Sequence, residues 1–373
     1  MQDTIDCLIR KGMPTVFYIT GGGSEVIPRL LENGGASAFF LDAQVPYDPF
    51  CFAQLLGGYK PDKFCSVEAA GMLATSAYKR ARHITKGVNE VVGVGATAKL
   101  GKAGTEREGR VHEAHVAFHT SQRTRYASIT FKYPRDRATE EQITAAFILK
   151  EYCNFLGVPC AAPLVHDDEM PVTQDHTSPW FLKTPFEFYT LPFRQDDEAG
   201  NPMTTRQPTI FSGSFNPVHE GHIRVAERAY EITHKPVWFE ISLENCEKPP
   251  VDWVSLANRT HSFEPHKDNP ALGGIVFTRT PMFVQKARLF HGPTFAVGYD
   301  TILRIDNPNY YRSYNEYADA INELVRDDVQ FLVFDRKGSV PRNFSHLGLD
   351  KICTIVDDYK DNGETSTALR QAT

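Results

Sequence analysis

The sequence has no long apolar run, no basic excess and no paired cysteines. No stretch approaches the ~20 apolar residues that a membrane-spanning helix needs, so no membrane partner is expected. Lys and Arg total 40 against 46 Asp and Glu, a net charge of −6. Without a domain-wide positive field to neutralise phosphates, a general nucleic-acid binder is excluded. The basic run Lys79-Arg80-Ala81-Arg82 reads as a solvated helix face. The seven cysteines, at 7, 51, 65, 153, 160, 246 and 353, make neither a CxxC pair nor a Cys/His zinc spacing. No metal site is therefore expected from spacing, and the odd, scattered set reads as reduced thiols of a cytoplasmic chain. The opening MQDTIDCLIRKG carries early acids and lacks the apolar segment of a signal peptide. No GxxxxGK[ST] phosphate loop occurs anywhere.

What is present is an α/β pattern. Length, 373 residues, suggests two domains, and 41% hydrophobic residues are enough for real cores. "TVFYIT" reads as a strand broken by Gly21-Gly22-Gly23, and "SEVIPRLLENGG" as a helix with Ser24 for a cap. "SVEAAGMLATSAYKRAR" has a Ser66 cap and helical apolar spacing. "EVVGVGA", "EAHVAFHT" and "YASITFKY" read as strands, and "TEEQITAAFILKEYCNFLGV" closes a first unit, residues 1–158, as an amphipathic helix. Residues 159–207 are rich in proline and acids, with "FEFYTLPF" hinting at strand, and read as a connector. From 208 to 373 strands such as "TIFSGSF", "VWFEISL", "GGIVFTR", "TFAVGYD" and "QFLVFDR" alternate with helical stretches. That alternation predicts a second, Rossmann-like α/β domain with a doubly wound parallel sheet.

The most informative stretch is "TIFSGSFNPVHEGHIRVAERAYE", residues 209–231. A ligand of such a sheet lies beyond the carboxyl ends of its strands. There Gly213 and Ser214 allow a tight turn whose N–H groups suit phosphate oxygens, and the helix beginning near Gly221 adds its positive end. His219 and His222, three apart across the helix start, complete a phosphate clamp able to donate to a pentavalent phosphate.

"GSFNPVHEGH" resembles the (H/T)xGH signature of the nucleotidylyltransferase superfamily, especially nicotinamide and nicotinate mononucleotide adenylyltransferases. Further matches follow in the family's order over roughly residues 207–373. "ENCEKPPVDWVSLANR" resembles the segment with a phosphate-binding lysine, here Lys248, and an arginine, Arg259. "FAVGYDT" resembles the Gly-x-Asp strand end, which carries over Gly298 and Asp300. "FLVFDRKG" gives Arg336 and Gly338. "TSTALR" looks like the family's ISSTxxR motif, whose hydroxyls and arginine hold the β- and γ-phosphates; it carries over Ser366, Thr367 and Arg370. Phe215, Asn216 and Gly221 come with the signature loop. The resemblance implies in-line attack of an acceptor's phosphate on the α-phosphate of ATP, with Mg²⁺ on the triphosphate and pyrophosphate leaving. The expected partners are ATP and a mononucleotide-like acceptor. ATP or CTP on pantetheine phosphate or a phospho-alcohol, and a non-catalytic nucleotide sensor, stay open beside this reading. The chain stops three residues after Arg370, so the last motif's helix is expected to be short.

In the first unit, "YITGGGSEVIPRLLENGGASAFFLDAQVPYDPFCFAQLLG" resembles the C-terminal domain of CinA-type competence-damage proteins, nicotinamide mononucleotide deamidases in bacteria. The family's Glu-Ser-Cys-Thr-Gly-Gly becomes Phe17-Tyr18-Ile19-Thr20-Gly21-Gly22, so the nucleophilic serine is Tyr18. Its Tyr-x4-Lys becomes Tyr47 followed five residues on by Phe52. An amide hydrolase of this kind needs an activated hydroxyl; the pair is missing and the domain is expected to be inactive. Thr20 to Gly23 read either as a phosphate-binding turn or as a purely structural one. "GVGATA" fits GxGxxA but precedes a polar loop rather than a helix, so it is not read as a dinucleotide site. Bacterial relatives of this domain self-associate often, which makes a homo-oligomer an expectation.

Overall fold

The computed structural model describes residues 2–32, 34–87, 90–101, 109–133, 135–161, 171–177, 188–194, 200–244, 250–334, 347–356 and 366. The chain divides into two compact units, residues 1–184 with 247–256, and residues 185–246 with 257–373.

In the first unit, α1 (Gln2–Lys11), β1 (Thr15–Thr20), α2 (Val26–Leu31), β2 (Phe40–Gln44), α3 (Pro49–Leu55) and α4 (Val67–Ile84) lead to a run of strands. These are β3 (Val92–Lys99), β4 (Glu113–His119) and β5 (Arg123–Thr130), followed by α5 (Arg137–Leu156) and β6 (Val172–Thr177). The sheet order is β2-β1-β3-β4-β5-β6. Its first half is parallel and the half from β3 to β6 antiparallel. Alternation along β1 sorts the two cores. Phe17 and Ile19 pack with Ile5, Leu30 and Phe147 on one face, while Val16 and Tyr18 pack with Phe52, Leu73 and Ala77 on the other. As expected, Ser66 caps α4 by accepting the Ala69 N–H at 3.1 Å. Gly157, in the left-handed region, ends α5.

The glycines of "GVGATA" have a packing role. β3 runs unbroken through them, and a Cβ on Gly93 would lie 2.0 Å from the Ala74 carbonyl oxygen, one on Gly95 2.2 Å from that of Ala70. Helix α4 therefore lies backbone-close on the strand, with no room for a side chain between them.

The second unit opens with β7 (Phe188–Pro192), followed by β8 (Thr209–Ser212), α6 (Glu220–Thr233) and β9 (Val237–Ser242). After α7 (Trp253–His261) come β10 (Leu272–Thr278), α8 (Phe283–Leu289), β11 (Thr294–Gly298), α9 (Tyr299–Ile305), α10 (Tyr314–Arg326), β12 (Gln330–Phe334) and β13 (Cys353–Val356). The order β13-β12-β11-β8-β9-β10-β7 is parallel throughout except for β7, which pairs antiparallel with β10. Counting β8 as first, this is the 3-2-1-4-5-6 arrangement of a doubly wound nucleotide-binding sheet, with the direction of winding reversing between β8 and β11. One face holds Ile210, Phe295, Val297, Phe331 and Val333 under α8 to α10. The other holds an aromatic cluster of Phe211, Phe215, Phe239 and Phe263, with centroids 4.8 to 5.8 Å apart.

Beneath that sheet lies one buried ion pair. Lys286 Nζ is 2.7 Å from Glu240 Oε2, both side chains are nearly inaccessible, and Thr278 donates to the other carboxylate oxygen. A buried carboxylate is tolerable only with such partners.

Replacing Gly95 with valine forces α4 off the sheet. Urea unfolding of that variant is expected to show a loss of about 2–3 kcal/mol; stability equal to the parent would remove the close-approach argument.

Candidate functional site: the β8–α6 turn

Beyond Ser212 the chain must leave the sheet, turn and start a helix. Gly213 donates its N–H to the Glu240 carbonyl at 3.1 Å, which prolongs the pairing of β8 with β9 by one residue. A Cβ on Gly213 would stand 2.7 Å from the Phe215 ring. Phe215 takes φ +43° and sinks its ring into the aromatic cluster, so what it offers a ligand is backbone. Asn216-Pro217 is a cis peptide. Val218 N–H donates to Ser262 Oγ at 3.1 Å, and Ser262 in turn donates to the Arg259 carbonyl at 2.7 Å.

His219 is the N-cap of α6 and His222 its third residue. The His219 N–H donates to His222 Nδ1 at 3.2 Å. A neutral ring accepting at Nδ1 carries its proton on Nε2, so His222 is fixed as an Nε2–H donor. The two rings lie 3.8 Å apart by centroid at 37°, and His222 also meets the edge of Phe215 at 5.0 Å. His219 is buried; Gly221 is buried in the first turn. The sequence thus places two imidazoles, a helix start and the turn's backbone within one short stretch of chain.

Other residues carried over from sequence arrive at the same stretch. Arg259, on α7, donates from Nη1 to the Ser214 carbonyl at 3.2 Å. Ser366 donates to the Pro217 carbonyl at 3.0 Å, which places this one residue against the signature loop across 149 residues of chain. Gly298 is the N-cap of α9, and Asp300 stands in that helix's first turn at the end of β11, the strand beside β8. Lys248, Arg336, Gly338, Thr367 and Arg370 lie outside the described residues. Glu240 and Ser262 were not singled out in the sequence. Each holds the turn through one hydrogen bond from a residue far along the chain, which leaves no local pattern to read. An open recess of about 450 Å³ lined by Arg206, Gln207, His291 and Asp328 is at the amino ends of β8, β11 and β12, the opposite end from this turn.

The corresponding place in the first unit is built differently. Tyr18 is buried in the α4-side core, where burial first, and then the Asp42 carboxylate, push its phenol pKa up; its deprotonation is disfavoured. Thr20 donates to the Pro46 carbonyl at 2.9 Å, and Tyr47 is exposed with its hydroxyl 3.3 Å from Arg137 Nη2. Gly21 and Gly23 have φ +78° and +84°, and a Cβ on Gly21 would meet the Ala98 carbonyl oxygen at 1.9 Å, one on Gly22 the Leu100 side chain at 2.4 Å. Three donors of the turn are already satisfied by Glu141, which accepts from Gly23 N at 2.7 Å, Ser24 Oγ at 3.1 Å and Glu25 N at 3.1 Å. An internal carboxylate sits where an anion would. Of the two readings of this turn, the contacts favour the structural one. Ser24, expected as a helix cap, instead donates to Glu141, and α2 starts after Glu25 without a side-chain cap.

Residues 210–372 match the family model described as cytidylyltransferase-like. The C-terminal domain is thus a cytidylyltransferase-like nucleotidyltransferase domain. Solved structures similar to the N-terminal part of the chain are CinA superfamily proteins. A competence or damage-inducible protein from Enterobacter asburiae is 15% identical, covering 41% of this chain and 96% of its own, with a TM-score of 0.33. A CinA superfamily protein from Escherichia coli is 16% identical over 41% of this chain and 91% of its own, TM-score 0.33. The competence/damage inducible protein CihA from Agrobacterium tumefaciens is 20% identical over 42% and 92%, TM-score 0.31. No curated protein matches the chain. No helix among the described residues is long and apolar enough to cross a membrane.

Exchanging Glu141 for glutamine removes the charge that those donors share. The expected loss is about 1–3 kcal/mol in chemical unfolding, and an unchanged midpoint would show that the carboxylate is incidental.

Proposed function

We propose that the second domain transfers an adenylyl group from ATP to a pyridine mononucleotide, releasing pyrophosphate. The observation that carries this reading is the His219–His222 arrangement at the point where the sheet's winding reverses. There an Nε2–H donor, a second imidazole tilted against it and the start of α6 share one turn. Such a set suits the charge that builds on an α-phosphate during in-line displacement. No protein nucleophile is required; the acceptor's own phosphate attacks. Ser214 and Asn216 would lie along the phosphates. Arg259, with Lys248, Arg336 and the Ser366–Arg370 motif, would hold the rest of the triphosphate. The carried-over set has a single carboxylate, Asp300, which suits Mg²⁺ arriving on the phosphates rather than in a protein cage.

The first domain, on this proposal, is not a deamidase: Tyr18 is buried, Phe52 stands in place of the family's lysine, and Glu141 fills the turn. It serves the chain as an assembly or ligand-binding module. A second reading keeps the chemistry and changes the substrates. The matching family is described as cytidylyltransferase-like, which favours testing CTP and other phosphorylated acceptors beside ATP.

Pyrophosphate release measured for ATP and CTP against nicotinamide mononucleotide, nicotinate mononucleotide, pantetheine phosphate and phospho-alcohols separates these readings. Turnover is expected with ATP and a pyridine mononucleotide, and is expected to stop when EDTA removes Mg²⁺. Turnover only with CTP or another acceptor replaces the first reading by the second. ATP binding without turnover on any acceptor would make the domain a sensor. His222→Ala is expected to lower kcat by about 10²–10³-fold or more with an unchanged far-ultraviolet circular dichroism spectrum. Activity near the parent's would refute the site.

A further inference from the structure

We propose that Cys65, Glu113 and His115, in the first unit, form a binding site for a zinc-class divalent cation. One ligand atom from each of the three lies within 4.8 Å of the other two. None of them belongs to the turn discussed above or to the nucleotidyltransferase domain, so the inference stands apart from the proposed activity.

The fold explains why these side chains meet. Glu113 and His115 are two apart on β4 and so share one face of the sheet. Their partners across β3 are Lys99 and Thr97, on the same face as Gly93 and Gly95, the glycines that admit α4. Helix α4 begins with Ser66 as its cap, so Cys65 stands immediately before it. Because the helix lies so close to β3, its amino end delivers the cysteine to the carboxyl end of that strand.

The histidine is already oriented for a metal. Its Nδ1 is 2.8 Å from Ser128 Oγ on the neighbouring strand β5, which pairs residue for residue with His115. With Nδ1–H donating to Ser128, the lone pair is on Nε2, as in metal-bound histidines whose other nitrogen is held from outside the ligand set. That Nε2 faces Glu113 Oε2 at 3.5 Å. Two electron-rich atoms at that separation need a cation between or beside them, either a proton or a metal ion. The third donor, a cysteine sulfur, selects zinc-class ions over magnesium or calcium. Ligand separations shrink to roughly 3–4 Å in a tetrahedral site with zinc bonds of about 2.0–2.3 Å, a modest contraction from 4.8 Å.

Charge also balances. Thiolate and carboxylate together neutralise a dication with a neutral imidazole. In the metal-free chain burial, and then the Glu113 carboxylate, push the Cys65 thiol up to about 12, so metal binding releases its proton. His115 is mostly covered while Glu113 is about a quarter exposed, so an ion can enter from solvent. Three protein ligands leave a fourth position for water or an anionic ligand, the form of a catalytic rather than a closed structural zinc site.

The untagged full-length chain, purified without chelator, is expected to contain equimolar zinc by elemental analysis. After exchange with Co²⁺ it is expected to show a thiolate-to-cobalt charge-transfer band in the near ultraviolet. Cys65→Ser should abolish that band, and Ser128→Ala, which leaves all three ligands in place, should weaken Co²⁺ binding by about 10–100-fold. Thermal melting of each metal-free variant checks that it is folded. A folded parent chain without zinc and without the cobalt band overturns the proposal, as does a band that persists in Cys65→Ser, since another cysteine would then be the ligand.

Discussion

The second domain depends on a short passage between Ser212, where β8 ends, and Glu220, where α6 begins. A parallel strand must hand over to a helix without leaving backbone donors and acceptors stranded. The solution spends a glycine, a left-handed phenylalanine and a cis proline in succession. It then ties the turn down from three other elements, through Glu240, Ser262 and Ser366. The histidines inherit their placement from this anchoring. His222 is oriented by the N–H of His219, a main-chain group fixed by the helix start itself. Preorganisation here is a property of the backbone, and the rings follow it.

The first unit shows a related turn with a different outcome. β1 is also followed by glycines, of which Gly21 and Gly23 take left-handed angles. The N–H groups of Gly23 and Glu25, however, converge on a carboxylate from α5. Nearby, Arg137 donates to the carbonyls of Gly21 and Gly101 and to Tyr47. This turn is filled from within by Glu141, and it forms a joint between β1 and α5.

Much of this was legible in the sequence because it is periodic or local. The strands from "TVFYIT" to "QFLVFDR" and the helices α4, α5, α6 and α10 follow apolar spacing and caps. The turn before α6 carries its own glycine, proline and histidines. What was not legible depends on contacts between distant residues. Nothing near Glu141 announces that its carboxylate accepts from Gly23, more than a hundred residues earlier. Cys65 and His115 are separated by fifty positions and meet only because β3 and β4 pair and α4 lies flat on glycines, so a search by spacing passed over them. "GVGATA" misled in the opposite direction, since its glycines serve helix–sheet contact. Ser24 looked like a cap because a serine before an apolar helix usually is one; Glu141 supplied a stronger acceptor.

Glu240 belongs to two systems at once. Its side chain is locked to Lys286 and Thr278 inside the sheet, while its carbonyl carries Gly213 at the mouth of the turn. One residue of β9 thereby joins the interior ion pair to the first hydrogen bond of the loop, the side chain serving one and the main chain the other.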